Sequence, residues 1–249
     1  MIELNHIHKV FNKGKASEVT ALGDVSLHIG KGEFVVLIGS NGSGKTTLLN
    51  IIAGAELPTL GSVVFDGQVV TDIPEHRRSR WIARVFQNPL SGTAPELSIL
   101  DNFRLAALRT GRRRLTVGIN EAFRQTVRDR VAGLGMGLEN KIDLPMGALS
   151  GGQRQALTLL MSVMDHTEIL LLDEPTAALD PRSAALIMET ADRLIREHGL
   201  TAVFITHNLK DAHTYGNRLI QMAEGAVVRD MDASAKTRLE LPELFGWFS

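Results

Sequence analysis

The sequence predicts an α/β fold: a parallel sheet covered by helices, with an antiparallel β-subdomain at the N-terminal end and an α-helical subdomain inserted in the middle. Three observations carry that expectation. In the second half, strand-like and helix-like stretches alternate: "EILLLDEP", then Pro181 to His198, then "TAVFITH", then "NLKDAHTY". Such alternation builds a parallel sheet with helices packed on it. The opening stretches "IELNHIHKVF" and "VTALGDVSLHIG" alternate apolar and polar residues and contain β-branched members, as antiparallel strands with one wet face do. From about 98 to 141 the strand signal disappears, and "ILDNFRLAALR" and "NEAFRQTVRDRVAGL" read as amphipathic helices.

The remaining elements follow in order. Gly30 to Glu33 is a turn, and "FVVLIG" is a short, continuously apolar run of the kind a buried strand needs. "KTTLLNIIAG" has helical spacing and stops at Gly54, a residue suited to a C-cap. "GSVVFDGQVV" is a hairpin turning at Asp66-Gly67, and "RWIARVFQ" is a strand. "RLIQMAEGAVVRD" is a second hairpin, and a short helical tail begins near Ala233. The expected organisation is one domain over residues 1–249. Its core and β-subdomain comprise 1–97 and 166–232, its helical subdomain 98–165, and its tail 233–249.

Composition narrows the function classes. The chain has 249 residues, with 27 basic and 28 acidic side chains, so it lacks the basic excess of a bulk nucleic-acid binder and no nucleic-acid partner is expected. It has no cysteine, which excludes disulfides and thiolate metal sites and points to an intracellular chain. "MIELNHIHKVF" has no charged region leading into an apolar one, so no signal peptide is expected, and no apolar run approaches the ~20 residues that span a bilayer. Work at a membrane would therefore need another chain to hold this one there.

The chemistry begins at "LIGSNGSGKTTLLNIIAG". Gly39, Gly44, Lys45 and Thr46 fit the pattern G-x-x-x-x-G-K-[ST], placed between an expected strand and an expected helix. Glycines let the backbone N–H groups of Gly39, Ser40, Asn41, Gly42, Ser43, Gly44 and the residues up to Thr47 curl around phosphates without Cβ clashes. The helix N-terminus adds partial positive charge. Lys45 is expected to reach the β- and γ-phosphates, and the Thr46 hydroxyl to ligate Mg²⁺. This loop makes the parallel sheet the core of a P-loop NTPase that takes a nucleoside triphosphate.

"ILLLDEP" runs four apolar residues into Asp173 and Glu174. A buried parallel strand delivers such residues to the carboxyl edge of the sheet, where ligands bind. Neighbouring strand residues point opposite ways, so the two carboxylates cannot share one job. One can hold the Mg²⁺ hydration shell while the other faces an attacking water. "LSGGQ" adds a second site. Ser150 and Gln153 form a capping box, but Gly151 and Gly152 in a first helical turn each cost about 1 kcal/mol relative to alanine. Capping does not call for them; close approach of another group does.

These motifs together resemble the nucleotide-binding subunit of ABC (ATP-binding cassette) transporters. The resemblance rests on "GSNGSGKT", Gln87 after "VF", "LSGGQ", "ILLLDE", "ALD" at Ala178 to Asp180 and His207 in "ITHN", in that order over nearly the whole chain. It implies ATP and Mg²⁺ as cofactors. It implies Glu174 as general base, Asp173 holding Mg²⁺ through water, Gln87 near the metal and the water, and His207 contacting the γ-phosphate. Phe11 stands where the family has an aromatic that stacks on adenine; a packed core phenylalanine is the competing reading. The resemblance also implies a head-to-tail pair of cassettes, in which Ser150, Gly151, Gly152 and Gln153 of one close over the nucleotide held by the other. A separate transmembrane permease would insert a coupling helix near Gln87, and an extracytoplasmic solute-binding protein would complete the system. The cassette itself would sit in the cytoplasm, peripheral on the inner face of the cell membrane.

Two stretches depart from the common pattern: "NPLSGTAPELSILDN" after Gln87, and "RQALTLLMSVM" after the signature. Both are similar to cassettes serving permeases of the branched-chain amino-acid type, including importers of aromatic amino acids. A soluble ATPase of the metal-cluster assembly type and a nucleotide-gated module without turnover are the alternatives; Glu174 and His207 argue against the second. The basic run from Arg109 to Leu115 is expected as a solvated loop. The leucines and aromatics of the tail are expected to pack on the body or on a twin subunit.

Overall fold

The computed structural model describes residues 1–109 and 118–248. In chain order the first elements are β1 (Ile2–Phe11), β2 (Val19–Ile29), β3 (Phe34–Ile38), α1 (Lys45–Ala53), β4 (Leu60–Phe65), β5 (Gln68–Val69), α2 (Glu75–Arg78) and β6 (Ile82–Val85). Three helices follow: α3 (Ile99–Ala106), α4 (Glu121–Ala132) and α5 (Gly151–Ser162). The chain then forms β7 (Ile169–Asp173), α6 (Pro181–His198), β8 (Thr201–Ile205), α7 (Leu209–Thr214), β9 (Arg218–Ala223), β10 (Ala226–Met231), α8 (Ala233–Arg238) and α9 (Leu241–Gly246). Of the basic run, only Arg109 lies among the described residues, and it is not solvated: its Nη2 donates to Thr167 Oγ1 and to the Ser162 carbonyl.

The strands form two sheets. β2-β1-β4-β5 is antiparallel throughout, and the β4–β5 turn takes positive φ at Asp66 (46°) and Gly67 (78°), the conformation a two-residue hairpin loop selects. The second sheet runs β10-β9-β3-β8-β7-β6; its five inner and edge strands from β9 to β6 are parallel, and β10 returns antiparallel beside β9. β3, β7 and β8 are buried along their whole length, which is why each reads as an unbroken apolar run.

α1 lies between the two sheets. Leu48, Leu49, Ile51 and Ile52 pack with Ile2, Leu4 and Ile7 of β1 on one side and with Val35, Leu37, Ile169 and Leu171 on the other. The opposite face of the parallel sheet packs on α3, α5 and α6 through Val36, Ile38, Leu170 and Leu172. The C-terminal end of α1 is held by Arg78, which the sequence reading did not single out. Its guanidinium is fully buried and donates to the carbonyls of Ile51 and Ile52 (both 2.8 Å), among five backbone oxygens. A cation there complements the helix dipole. Burial of that cation pulls the Arg78 pKa down to about 10. Gly54 ends α1 in the left-handed region (φ 79°), and a Cβ at that position would stand 2.7 Å from Arg78 Nε.

The tail docks on the body. Leu239 and Leu244 are buried in the main core, while Phe245 and Phe248 remain exposed. Lys236 Nζ donates to the carbonyls of Tyr215 and Gly216, just beyond α7, and His213 Nε2 lies 2.9 Å from the Leu239 carbonyl oxygen.

Candidate functional site

The loop between β3 and α1 is gripped by its own chain. A Cβ at Gly39 (φ 153°) would stand 2.2 Å from the Met222 carbonyl oxygen, and one at Gly44 (φ 98°) 2.6 Å from that of Ala21. The β9–β10 turn braces the loop through Gly225 N–H to Ser43 O (3.2 Å). Close backbone packing therefore demands two of the three glycines. Only Gly42 (φ 80°), with open space around it, is demanded by conformation alone. The sequence reading assigned all three to the approach of a phosphate; the internal packing is an additional reason that a pattern cannot show.

Within the loop, Lys45 Nζ donates to the carbonyls of Gly39 and Ser40 (both 2.9 Å) and lies 3.3 Å from Ser43 Oγ. Lys45 is nearly buried, and burial lowers its pKa against the opposing pull of Glu174 and Asp173. No side chain caps the N-terminus of α1, because the capping position is Gly44. The first N–H groups of the helix are thus free to face an anion beside a buried ammonium group.

The sheet brings the other residues to the same edge. Leu37 is registered with Ile205, and Ile205 with Asp173, so the ends of β3, β8 and β7 lie level. The loop, His207 and Glu174 follow directly. β6 is registered on β7 through Val85 and Leu172, which sets Gln87 at the same edge. Strand alternation decides the direction of Asp173 alone; Glu174 lies beyond the end of β7, so its direction is set by its own backbone and not by the alternation expected from the sequence. Ile169 and Leu171 point into the core around α1, and Asp173 follows on that face. Thr46 Oγ1 donates to its Oδ1 at 3.4 Å. Glu174 leaves the strand with φ 48°, its N–H on the Ile205 carbonyl, and its Oε1 is 2.6 Å from His207 Nε2.

A divalent ion fits this donor set. A hydroxyl and a carboxylate oxygen stand beside the anion-facing helix end, and Mg²⁺ is bound by one or two carboxylates together with substrate phosphates rather than by an all-protein cage. Among the described residues no group of three or more His, Cys, Asp or Glu forms such a cage.

The signature segment forms its own helix start. Ser150 caps α5 by accepting from Gln153 N–H (3.3 Å), and Gln153 Oε1 accepts from Ser150 N–H (3.1 Å). The two glycines separate here. A Cβ at Gly152 would lie 2.7 Å from Ser183 Oγ of α6, so this residue is glycine because of the chain's own packing. At Gly151 the nearest described atom is a Leu179 methyl at 3.5 Å, and no described residue demands a glycine there. Among the described residues no hydrogen bond gathers Ser150 and Gly151 to the Lys45 cluster. Gln87 is exposed and has no hydrogen-bond partner among the described residues. Phe11, at the end of β1, is half-buried and outside the apolar cores, with Lys9 Nζ 4.7 Å from its ring centroid.

Two further residues, both beside the site, escaped the sequence reading. Arg84 Nη2 pairs with Asp173 Oδ2 at 2.7 Å. Gln155, fully buried on α5, donates to the carbonyls of Phe86 (2.9 Å) and Pro175 (3.0 Å), joining the signature helix to the segments that carry Gln87 and Glu174. A charge inside the apolar stretch "WIARVF" was the available signal for Arg84; Gln155 left none.

The model of the family described as ABC transporter matches residues 22–177, from β2 to just beyond Glu174. The chain belongs to the ABC transporter family. It is similar to the tyrosine transport ATP-binding protein of Clostridioides difficile (strain R20291), with 37% identity over all of this chain and 98% of that one. It is also similar to the lipoprotein-releasing system ATP-binding protein LolD 1 of Caulobacter vibrioides, with 34% identity over 88% of this chain and 91% of the relative. Among solved structures, the dimeric post-hydrolysis state of the ATP-binding cassette MJ0796, bound to ADP and Pi, superposes with a TM-score of 0.80. That match has 31% identity and covers 94% of this chain and 99% of that one. The protein is therefore the ATP-binding, ATP-hydrolysing subunit of an ABC transporter, built on the expected α/β fold. Among its described residues no helix is long and apolar enough to cross a membrane.

Proposed function

We propose that this ABC cassette hydrolyses MgATP in a head-to-tail pair with a second copy, and that it drives a separate membrane permease importing small solutes of the amino-acid type. The catalytic reading rests on the convergence of Lys45, Thr46, Asp173, Glu174 and His207 at one sheet edge. Lys45 and the uncapped amides of α1 take the phosphates. Thr46 and Asp173 would hold Mg²⁺, which would supply charge neutralisation at the phosphates. Glu174 draws a proton from the attacking water, His207 orients the Glu174 carboxylate and faces the γ-phosphate, and Gln87 reaches the water and ion from the edge of the sheet. Phe11 offers the face not covered by Lys9 to the adenine.

Ser150, Gly151, Gly152 and Gln153 act on the nucleotide held by the partner. This reading is supported by the absence of any packing reason for glycine at position 151 and by the dimeric form of the MJ0796 cassette. The permease is proposed to seat a segment in a cleft of about 750 Å³ lined by His76, Arg84, Asn102, Leu105, Arg109 and Met161, beside the Gln87 segment. The cassette would then lie on the inner face of the cell membrane, with an extracytoplasmic solute-binding protein delivering the cargo.

The amino-acid reading rests on the end-to-end match to a tyrosine transport protein. The lipoprotein-releasing relative favours a second reading, extraction of a lipid-anchored cargo. The test is reconstitution of this chain with its co-purifying membrane subunit in vesicles carrying ATP on the cassette side. ATP-dependent accumulation of labelled tyrosine or another amino acid on the cassette side is expected. Release of lipoprotein without accumulation would select the second reading. Recovery of an active ATPase that never associates with a membrane subunit would remove both.

A further inference from the structure

We infer that Arg84 is the resident counter-ion of Asp173, and that it lets the site accept nucleotide phosphates before a divalent ion is in place. The inference rests on the nucleotide reading above and concerns a residue that no motif marks. Arg84 and Asp173 meet at 2.7 Å, with each side chain only 11% exposed. The geometry divides the carboxylate: Oδ2 belongs to Arg84, and Oδ1 faces Thr46 Oγ1 at 3.4 Å. The two side chains share one face of the sheet by alternation. Ile82 of β6 and Leu171 of β7 lie in the core around α1, while Ala83, Val85 and Leu172 lie in the other core, so Arg84 and Asp173 both face α1. The guanidinium also lies over the Phe86 ring, 4.7 Å from Cζ to the ring centroid.

Charge gives the pair its consequence. Nucleotide phosphates entering beside α1 meet Lys45 and two carboxylates, Asp173 and Glu174. An uncompensated Asp173 repels them, and so little exposure leaves the repulsion poorly screened. Arg84 cancels that charge within the pair. A divalent ion held by Thr46 and Asp173 would supply the same neutralisation, so Arg84 matters most when no ion is present. Arg84 also opposes the ion's own binding, because it is a cation on the far side of the shared carboxylate. It is therefore a positioning and charge-balancing residue rather than a catalytic one.

The test is equilibrium binding of a fluorescent ATP analogue, measured once in EDTA and once in excess Mg²⁺. In Arg84→Gln the Kd in EDTA should rise about ten-fold, and the Kd in Mg²⁺ by no more than about two-fold. Arg84→Lys, which keeps the charge, should restore most of the wild-type ratio between the two. A merely structural role would weaken both affinities together, so an unchanged ratio in folded Arg84→Gln overturns the inference. Should Arg84→Gln fail to fold, Asp173→Asn/Arg84→Gln should fold, because both charges leave together. Failure of the double variant where Asp173→Asn alone folds also overturns it. Absence of nucleotide binding by the unmodified chain would remove the nucleotide reading itself, and the inference with it.

Discussion

Glu174 is held by constraints that leave its carboxylate one direction. Its backbone takes φ 48°, its N–H is tied to the Ile205 carbonyl, and its Oε1 meets His207 Nε2 at 2.6 Å. A left-handed conformation in a residue with a Cβ persists only where its surroundings enforce it. Here it turns Glu174 away from Thr46 and toward His207, so the two neighbouring carboxylates serve different groups. Glu174→Gln retains the shape and removes the proposed base. Turnover should fall about 10²–10⁴-fold while MgATP affinity stays within about two-fold, read by steady-state ATPase and nucleotide titration. Wild-type turnover in that variant would take Glu174 out of the mechanism.

At the scale of elements, α5 and the tail each carry a prediction. Gly152 lies against Ser183 of α6, whose Cβ would be 2.9 Å from an added methyl; that atom cannot swing aside. Gly152→Ala should therefore destabilise the fold by roughly 1–3 kcal/mol, as overpacked sites do. Gly151→Ala has space and should leave stability unchanged or raise it by up to about 1 kcal/mol, while lowering ATPase if the surface serves the partner's nucleotide as proposed. Denaturant melts of the two variants separate the glycines; equal losses would discard the distinction.

The tail is pinned by Lys236, whose burial lowers its pKa to about 8 from an ordinary 10.5. Between those values the unfolded chain holds a proton that the folded chain has released, so unfolding takes up a proton and is disfavoured as pH rises. Stability from this group should therefore climb from about pH 8 to pH 10.5 and be flat outside that window. In Lys236→Met that part of the slope should vanish, which denaturation midpoints across the range can read. An identical pH slope in the variant would show that Lys236 is not the source.

At the scale of the whole molecule, the proposed function uses two helix ends, those of α1 and α5, and no hydrogen bond among the described residues gathers the second to the first. A head-to-tail pair satisfies both. ATPase activity should then rise more steeply than linearly with protein concentration until the pair is saturated. Ser150→Arg and Lys45→Ala chains should each be inactive alone and recover part of the activity when mixed, because one composite site is then intact. Strictly linear activity from a particle that stays monomeric with ATP bound would reduce the signature to a helix cap.

The order of strands and helices, the glycine-rich loop before α1 and the direction of Asp173 were all legible in the sequence. Each follows from a local rule: a period of two or 3.6, a glycine before a helix, neighbouring strand residues pointing apart. The residues that the reading missed have partners distant in the chain. Arg84 meets Asp173 across neighbouring strands, and Gln155 joins α5 to two loops. Arg78 caps a helix whose end lies well before it in the chain. Two loop glycines owe their identity to carbonyls of Ala21 and Met222. No period or motif encodes such pairings. Local backbone preference and the apolar pattern determined which elements form and which residue types carry the chemistry. Tertiary packing decided what stands behind each of them, because a contact between strands depends on sheet order and register, and those exist only once the cores around α1 and beneath the helices have closed.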